Sequence, residues 1–348
     1  MKVYADNPSI FYMGRLDKKN GTEPLFSYAG SQAAISFRGT SVSVGIKNYV
    51  YWGQVSLGYV LDGTVGKIML DKNDNGKDII LTIAENMEDT EHSLIVYKKS
   101  AGNQLFYFKG FEINGELLPP PALPELKLEV FGDSVCAGEV CEAVEYTAKL
   151  DPDGHDCAYD NVWYSFVMQT ARNLNAQINN CSQGGIALFD GTGYYHGPET
   201  IGLESTYDKL CYMPEGGITD WDFSSYIPDV VVIAIGQNDK HNSITEADDI
   251  SISEPSYRLK WKERYKFIVR ELDRHYNGAK FVLTTTLLFH DKDWDNAIEE
   301  IKNELAADGI KVFHNVFKRN GAGTPGHPRI PEHNEMAEEL TEFIRNIL

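Results

Sequence analysis

Apolar and polar residues alternate with a period of two from Ala33 to about Leu118. Ala34-Ile35-Ser36-Phe37-Arg38 and Ser41-Val42-Ser43-Val44-Gly45-Ile46-Lys47 show it most plainly. Gly58-Tyr59-Val60-Leu61 runs into Asp62-Gly63, a pair that suits a tight hairpin. Further short runs begin at Lys67, Asp78, His92 and Leu105, and no helical period intervenes. Many short strands with turn signals between them predict an antiparallel β-sandwich of jelly-roll type.

The pattern stops at Leu118-Pro119-Pro120-Pro121-Ala122-Leu123-Pro124. Consecutive prolines make a stiff, extended connector. The expected units are therefore a β-domain over 1–118, a connector over 119–126 and a second domain over 127–348. In the second, strand and helix patterns alternate. Lys127–Phe131 reads as a strand, Asp160–Leu174 as a helix capped by Asp160, and Ala176–Cys181 as a second strand. The apolar run Asp229–Gly236 has the character of a fully buried parallel strand. A long helix carries Trp261, Tyr265, Ile268, Val269 and Leu272. Strand Lys280–Thr286, helix Asp293–Ala307, strand Ile310–His314 and helix Glu332–Ile347 close the chain. This is a three-layer α/β arrangement, with helices on both faces of a parallel sheet. Two connections, about 136–159 and 186–228, exceed the usual loop length and leave the carboxyl edge of that sheet, where they would wall a pocket.

Composition narrows the partners. A net charge of −19 over 348 residues argues against nucleic acid or an anionic membrane surface. A neutral small molecule or sugar fits it. No apolar run is long enough to span a bilayer. The first residues, Met1 to Pro8, carry no leader pattern, so the expected location is the cytoplasm, or outside the cell if a leader has been removed. Cys136, Cys141, Cys157, Cys181 and Cys211 are odd in number and read as reduced thiols.

Candidate chemistry gathers where strands end. Gly132-Asp133-Ser134 follows the first strand and leaves Ser134 at the sheet edge, where open α/β folds place ligands. A serine hydroxyl needs a base to take its proton and donors for the oxyanion it generates. Gly185, after the second strand, presents a bare backbone N–H or merely a tight turn. Asn238, in Gly236-Gln237-Asn238-Asp239 after the third strand, supplies an NH₂ donor or an Asx turn. His327 sits on a loop before the last helix, held out of helical geometry by Pro328, and is either a base or surface decoration.

These four blocks, in this order, resemble those of the SGNH hydrolases. Gly14-Arg15, Tyr28-Ala29-Gly30-Ser31, Phe37-Arg38-Gly39-Thr40-Ser41-Val42, Leu61-Asp62-Gly63 and Phe111-Glu112-Ile113 are similar to the N-terminal jelly roll of carbohydrate esterase family two. The resemblance implies a catalytic Ser134 and His327, an oxyanion hole of Ser134 N–H, Gly185 and Asn238, and removal of O-acetyl groups from polysaccharides such as xylan and glucomannan through an acetyl-enzyme. It implies no cofactor.

One departure shapes the mechanism. Many such hydrolases carry an Asp two or three residues before the His, and here Pro325 and Thr324 stand there. A Ser134–His327 dyad is therefore expected, the ring held by a backbone carbonyl. The rivals are a carboxylate from elsewhere in the chain and His333 as the base. Asp133 adjoins the nucleophile and is expected to face away. Loss of Asn238 is expected to cost on the order of 10²–10³ in kcat, and activity to rise as the imidazole loses its proton near about pH 6–7. Trp221, Trp294, Tyr194 and Tyr195 are the aromatic platforms to consider for sugar rings. Asp151-Pro152-Asp153-Gly154-His155-Asp156 lacks the calcium-loop pattern and reads as a solvated loop, so no metal is expected. Alternative readings are an esterase or thioesterase for small non-sugar acyl esters, and a carbohydrate-binding protein without catalysis. A homo-oligomer is left open.

Overall fold

The computed structural model describes residues 1–16, 21–120 and 122–348. Pro121 of the expected connector, and residues 17–20 of the expected first domain, lie outside them. Among the described residues, nine strands form an antiparallel sheet organised around Gln32–Val50. That strand pairs with Phe11–Met13, Asp78–Ala84, Thr90–Lys98 and Gln104–Leu117. Its alternation does what the sequence pattern requires. Val42, Val44 and Ile46 are buried with Val96, Phe106, Phe108 and Phe111 in one apolar cluster, while the residues between them face outward. At the hairpin Asp62-Gly63 both residues adopt positive φ, 48° and 79°, and Leu61 pairs with Thr64. Strands Lys2–Tyr4, Phe11–Met13 and Leu25–Phe26 are too short for a period to show.

The second sheet is parallel. Its strands are β1 (Lys127–Gly132), β2 (Gln177–Asn180), β3 (Val230–Ala234), β4 (Lys280–Thr284) and β5 (Val312–His314), in the spatial order β2-β1-β3-β4-β5. The order reverses at β1, so a crevice opens beyond the carboxyl ends of β1 and β3. Helices α1 (Ser134–Ala137), α2 (Phe166–Asn173) and α5 (Ile330–Ile347) pack on one face through Val167, Met336 and Leu340 against Leu128, Val130 and Val232. Helices α3 (Pro255–Tyr276) and α4 (Lys292–Ala307) cover the other face through Trp261, Ile268 and Ile298 against Val231, Ile233 and Leu283.

The helix expected over Asp160–Leu174 is shorter than its apolar stripe. Ser165 has extended backbone (ψ 148°) and caps α2, its Oγ accepting from Met168 N at 3.4 Å. Asp160 does not cap that helix. Its carboxylate accepts from Val140 N at 2.9 Å and anchors the loop after α1.

The two sheets are tied at a buried ion pair. Arg15, fully buried, donates Nε to Glu129 of β1 at 3.1 Å, and Nη1 to the carbonyls of Tyr207 and Lys209 at 2.7 and 3.0 Å. Tyr276 and Asn179 also donate to Glu129, so the buried carboxylate is fully partnered.

Candidate active site

β1 ends at Gly132, and the chain turns directly into α1. Asp133 caps that helix, its Oδ1 accepting from Val135 N at 3.0 Å. Its Oδ2 accepts from Gln237 Nε2 at 2.5 Å and Asn238 Nδ2 at 3.2 Å. Gln237 Oε1 in turn accepts from Thr286 N at 3.0 Å. One carboxylate thus locks the ends of β1, β3 and β4 and leaves Ser134 at the mouth. Burial pushes Asp133 up to about 6 despite those donors.

Ser134, Gly185, Asn238 and His327 line one cavity of about 810 Å³. Ser134 Oγ and His327 Nε2 line the same cavity, and no hydrogen bond joins them among the described residues. Such a bond commonly tightens only when substrate is bound. Gly185 has φ 73°, and a Cβ there would lie 2.9 Å from Tyr194 C and Tyr195 N. Only glycine suits both the turn and that approach. Its carbonyl accepts from Tyr194 N at 2.7 Å, and its own N–H, like that of Ser134, donates to no described residue.

The structure corrects the expectation of a dyad. Asp151 Oδ2 lies 2.7 Å from His327 Nδ1, Asp151 Oδ1 accepts from the His327 backbone N–H at 3.0 Å, and Arg329 Nη2 donates to the same oxygen at 2.7 Å. A carboxylate from the first long loop therefore takes the place of the expected backbone carbonyl. The two residues are 176 positions apart, which is why no local motif announced the pair. The loop's reading as merely solvated falls with it. Room for the contact comes from Gly326, where a Cβ would overlap Asp151 Oδ1. Burial works against the Asp151 charge, but the hydrogen bond and charge of His327 and the donor on Arg329 outweigh it and hold the carboxyl far below its ordinary range. For His327, burial works against the cation, and the hydrogen bond and charge of Asp151, helped by Glu139 and Asp160, raise it above 6.5.

His333 is not a base in this cavity. It is fully buried in the first turn of α5, its Nδ1 accepting from Phe166 N at 3.1 Å, and burial drives it down to about 3. Asn238 lines the cavity, but its amide donates to Ile186 O at 3.1 Å as well as to Asp133. Both N–H bonds are committed inside the protein, so it differs from the free oxyanion donor expected of it.

Comparison with known proteins follows the same lines. Residues 12–121 match the carbohydrate esterase 2 N-terminal family model. The chain is 29% identical over 99% of its length to the cellulase/esterase CelE of Acetivibrio thermocellus, of which it spans 40%. It is 25% identical over 99% of its length to the acetylxylan esterase / glucomannan deacetylase of Cellvibrio japonicus, spanning 91% of that protein. A family two carbohydrate esterase from Clostridium thermocellum, solved in complex with cellohexaose, superposes with a TM-score of 0.78 at 27% identity, over 97% of this chain and 98% of that one. Over nearly its whole length the chain is similar to family-two carbohydrate esterases.

The aromatic candidates divide. Tyr194 lines the cavity, 44% exposed, stacked on His241 at 3.9 Å and donating its hydroxyl to Asp248 at 2.8 Å. Tyr195 also lines it but is buried, its hydroxyl on Met213 sulfur. Trp221 and Trp294 are not platforms. Trp221 is buried over the Arg15 guanidinium, and Trp294 packs edge-on to Trp261 in the core beneath α3 and α4. An apolar residue opening a helix next to a long loop looks exposed in sequence, yet its side chain points to the sheet. Missed altogether were Trp52 and Phe289, which line the cavity at 43% and 68% exposure. Trp52 comes from the antiparallel half, together with Ala101, Gly102 and Asn103. Nothing local marks it. Only the fold brings that loop across to the sheet edge.

Proposed function

We propose that the protein is a serine esterase that removes O-acetyl groups from oligosaccharide or polysaccharide chains of the xylan or glucomannan type. The observation that carries this reading is the carboxylate–imidazole pair, Asp151 on His327 Nδ1 at 2.7 Å, in the cavity that Ser134 also lines. With Nδ1–H given to Asp151, Nε2 is the free base. It takes the Ser134 proton as Oγ attacks the acetyl carbonyl, and the N–H groups of Ser134 and Gly185 receive the oxyanion. The imidazolium then returns its proton to the departing sugar hydroxyl. Water attacks the acetyl-enzyme by the same route in reverse. The similarity to esterases, one of them solved with cellohexaose, and the open, partly aromatic wall of Tyr194, Trp52 and Phe289 support a sugar-chain substrate.

We read the antiparallel half as a jelly roll joined through residues 119–126 to an SGNH catalytic domain, bracing the pocket and supplying one wall. The reading as a binding protein without catalysis was suggested by a missing acid, and Asp151 supplies one. Hydrolysis of p-nitrophenyl acetate by the protein and by Ser134→Ala tests the chemistry. Equal rates would overturn the esterase reading. Faster release of acetate from acetylated xylo-oligosaccharide than from the aryl ester tests the substrate class.

A further inference from the structure

We propose that Glu139 is a catalytic residue of this esterase: a neutral carboxylic acid that donates a hydrogen bond to the oxyanion. The inference rests on the esterase reading above.

The backbone fixes where Glu139 can be. α1 ends at Gly138 in left-handed geometry, and Glu139 N donates to the carbonyl of Ser134 at 3.0 Å. The residue is therefore tied to the nucleophile's own peptide. Its side chain lines the same cavity, and its carboxyl lies so close over Gly184 that a Cβ there would overlap Oε1. Gly184 adjoins the peptide N–H of Gly185, the candidate oxyanion donor. No donor reaches the Glu139 carboxyl among the described residues.

An ionised carboxylate in that place would oppose the oxyanion, whereas a protonated one would receive it. The surroundings decide in favour of the proton. Asp160, Asp133 and Asp151 face Glu139 as acids, His327 and Lys98 as bases, and Cys157 as a half-buried thiol. Burial comes first, then Asp160, in raising Glu139 well above the usual carboxylate range. Of the pair Glu139–Asp160, the negative charge belongs on Asp160. That carboxylate accepts from Val140 N at 2.9 Å and has Lys99 beside it, whereas the Glu139 carboxyl accepts from no donor among the described residues. Two close carboxyls with unequal donors share one proton, and it rests on the side without them. The commitment of the Asn238 amide to Asp133 and Ile186 leaves a place for such a donor.

The test is the pH profile of kcat on p-nitrophenyl acetate for the protein, Glu139→Gln, Glu139→Ala and Ser134→Ala, with folding checked by circular dichroism. Glutamine keeps a donor that cannot ionise. The expected result is a fall in kcat on the order of 10² for Glu139→Ala with KM little changed. Glu139→Gln should be slower than the parent but at least about tenfold faster than Glu139→Ala, and should lose the parent's decline at alkaline pH. A Glu139→Gln protein as slow as Glu139→Ala overturns the inference, because a donor would then be insufficient. So does a Glu139→Ala protein with the parent's rate and profile. If Ser134→Ala is as active as the parent, the esterase reading fails as well; if it is inactive, failure at Glu139 counts against the inference alone.

Discussion

Replacing Asp151 by Asn separates the two tasks the carboxylate performs. Asp151 accepts three hydrogen bonds, from His327 N at 3.0 Å, His327 Nδ1 at 2.7 Å and Arg329 Nη2 at 2.7 Å. Asparagine has only one accepting oxygen. If that oxygen stays on Arg329 and the backbone N–H, the NH₂ faces Nδ1. The ring then places its proton on Nε2, the atom that must accept one from Ser134. The corresponding change in a serine-protease triad costs about 10⁴ in kcat. Here the Asp151 side chain is 25% exposed, so water can partly rescue the ring, and a fall on the order of 10²–10⁴ is expected. Whatever activity remains should have its acid limb at lower pH, because removing the anion that favours imidazolium lowers the His327 pKa. Buried Arg329 also loses a charged acceptor while keeping the His327 carbonyl at 2.6 Å, a cost of about 1.5–3 kcal/mol. Stability readings should confirm the linkage sign. A depressed carboxyl contributes stability above its unfolded value, about 4, that is lost as pH falls through the folded one. The parent's urea midpoint should therefore drop below about pH 4 more steeply than the variant's. The assay is kcat against pH on p-nitrophenyl acetate, with urea unfolding in parallel. A variant within about threefold of the parent rate, with an unmoved acid limb, would refute a role for Asp151 in holding the ring.

Three further outcomes follow from where the other residues lie. Tyr194→Ala should raise KM for an acetylated oligosaccharide several-fold while leaving p-nitrophenyl acetate turnover near the parent's, since the ring lines the cavity and its hydroxyl bonds to Asp248, not to Ser134. Steady-state kinetics on both substrates shows it. Trp294→Ala should cost roughly 3–5 kcal/mol of stability through its core cavity with KM for both substrates unchanged, and denaturant unfolding plus kinetics would expose any error. His333→Gln should remove part of the acid sensitivity of folding. The parent imidazole stays neutral down to about 3 while the unfolded one takes a proton near 6.5. The unfolded chain therefore holds more protons across that interval, and stability should fall by roughly 1.4 kcal/mol per pH unit on acidification. A parallel pH slope in parent and variant would contradict the assignment.

The parallel sheet was legible chiefly from Val230–Ala234, a continuous apolar run, and from the shorter apolar stretches of Lys127–Gly132 and Lys280–Thr284, and the antiparallel one because Gln32–Val50 alternates so cleanly. The placing of Ser134 and His327 at one cavity was legible because a strand end and a proline each restrict the backbone locally. Asp151, Glu139 and Trp52 were not, and for one reason: each reaches the cavity from a loop whose course is set by packing far away in sequence. The length of the first loop was the only sign. Trp221 and Trp294 misled in the opposite sense, because a tryptophan near a loop is as well suited to covering a core as to facing a sugar. The difference lies in the direction of one Cα–Cβ bond, which composition does not encode. The Asp160 cap failed on a similar point. Asp160 is within reach of Val140 N, while Ser165 stands where the helix starts.

The carboxyls around His327 make opposing demands on it. Asp151, Glu139 and Asp160 all favour its cation, which helps the step in which the imidazole gains the Ser134 proton. The same field keeps the resting ring protonated to higher pH, where it cannot act as a base. A general base works best with its pKa near the working pH, so each added negative charge beyond Asp151 would gain driving force and lose active fraction. Placing the proton on Glu139 relieves this conflict. It removes one negative charge from the neighbourhood of the ring without removing the side chain, and converts a group that would repel the oxyanion into one that binds it. The acid-limb pKa of Glu139→Gln should then match the parent's closely, because the charge beside the ring is the same in both. A downward displacement of that limb in the glutamine variant would mean that Glu139 is ionised at rest.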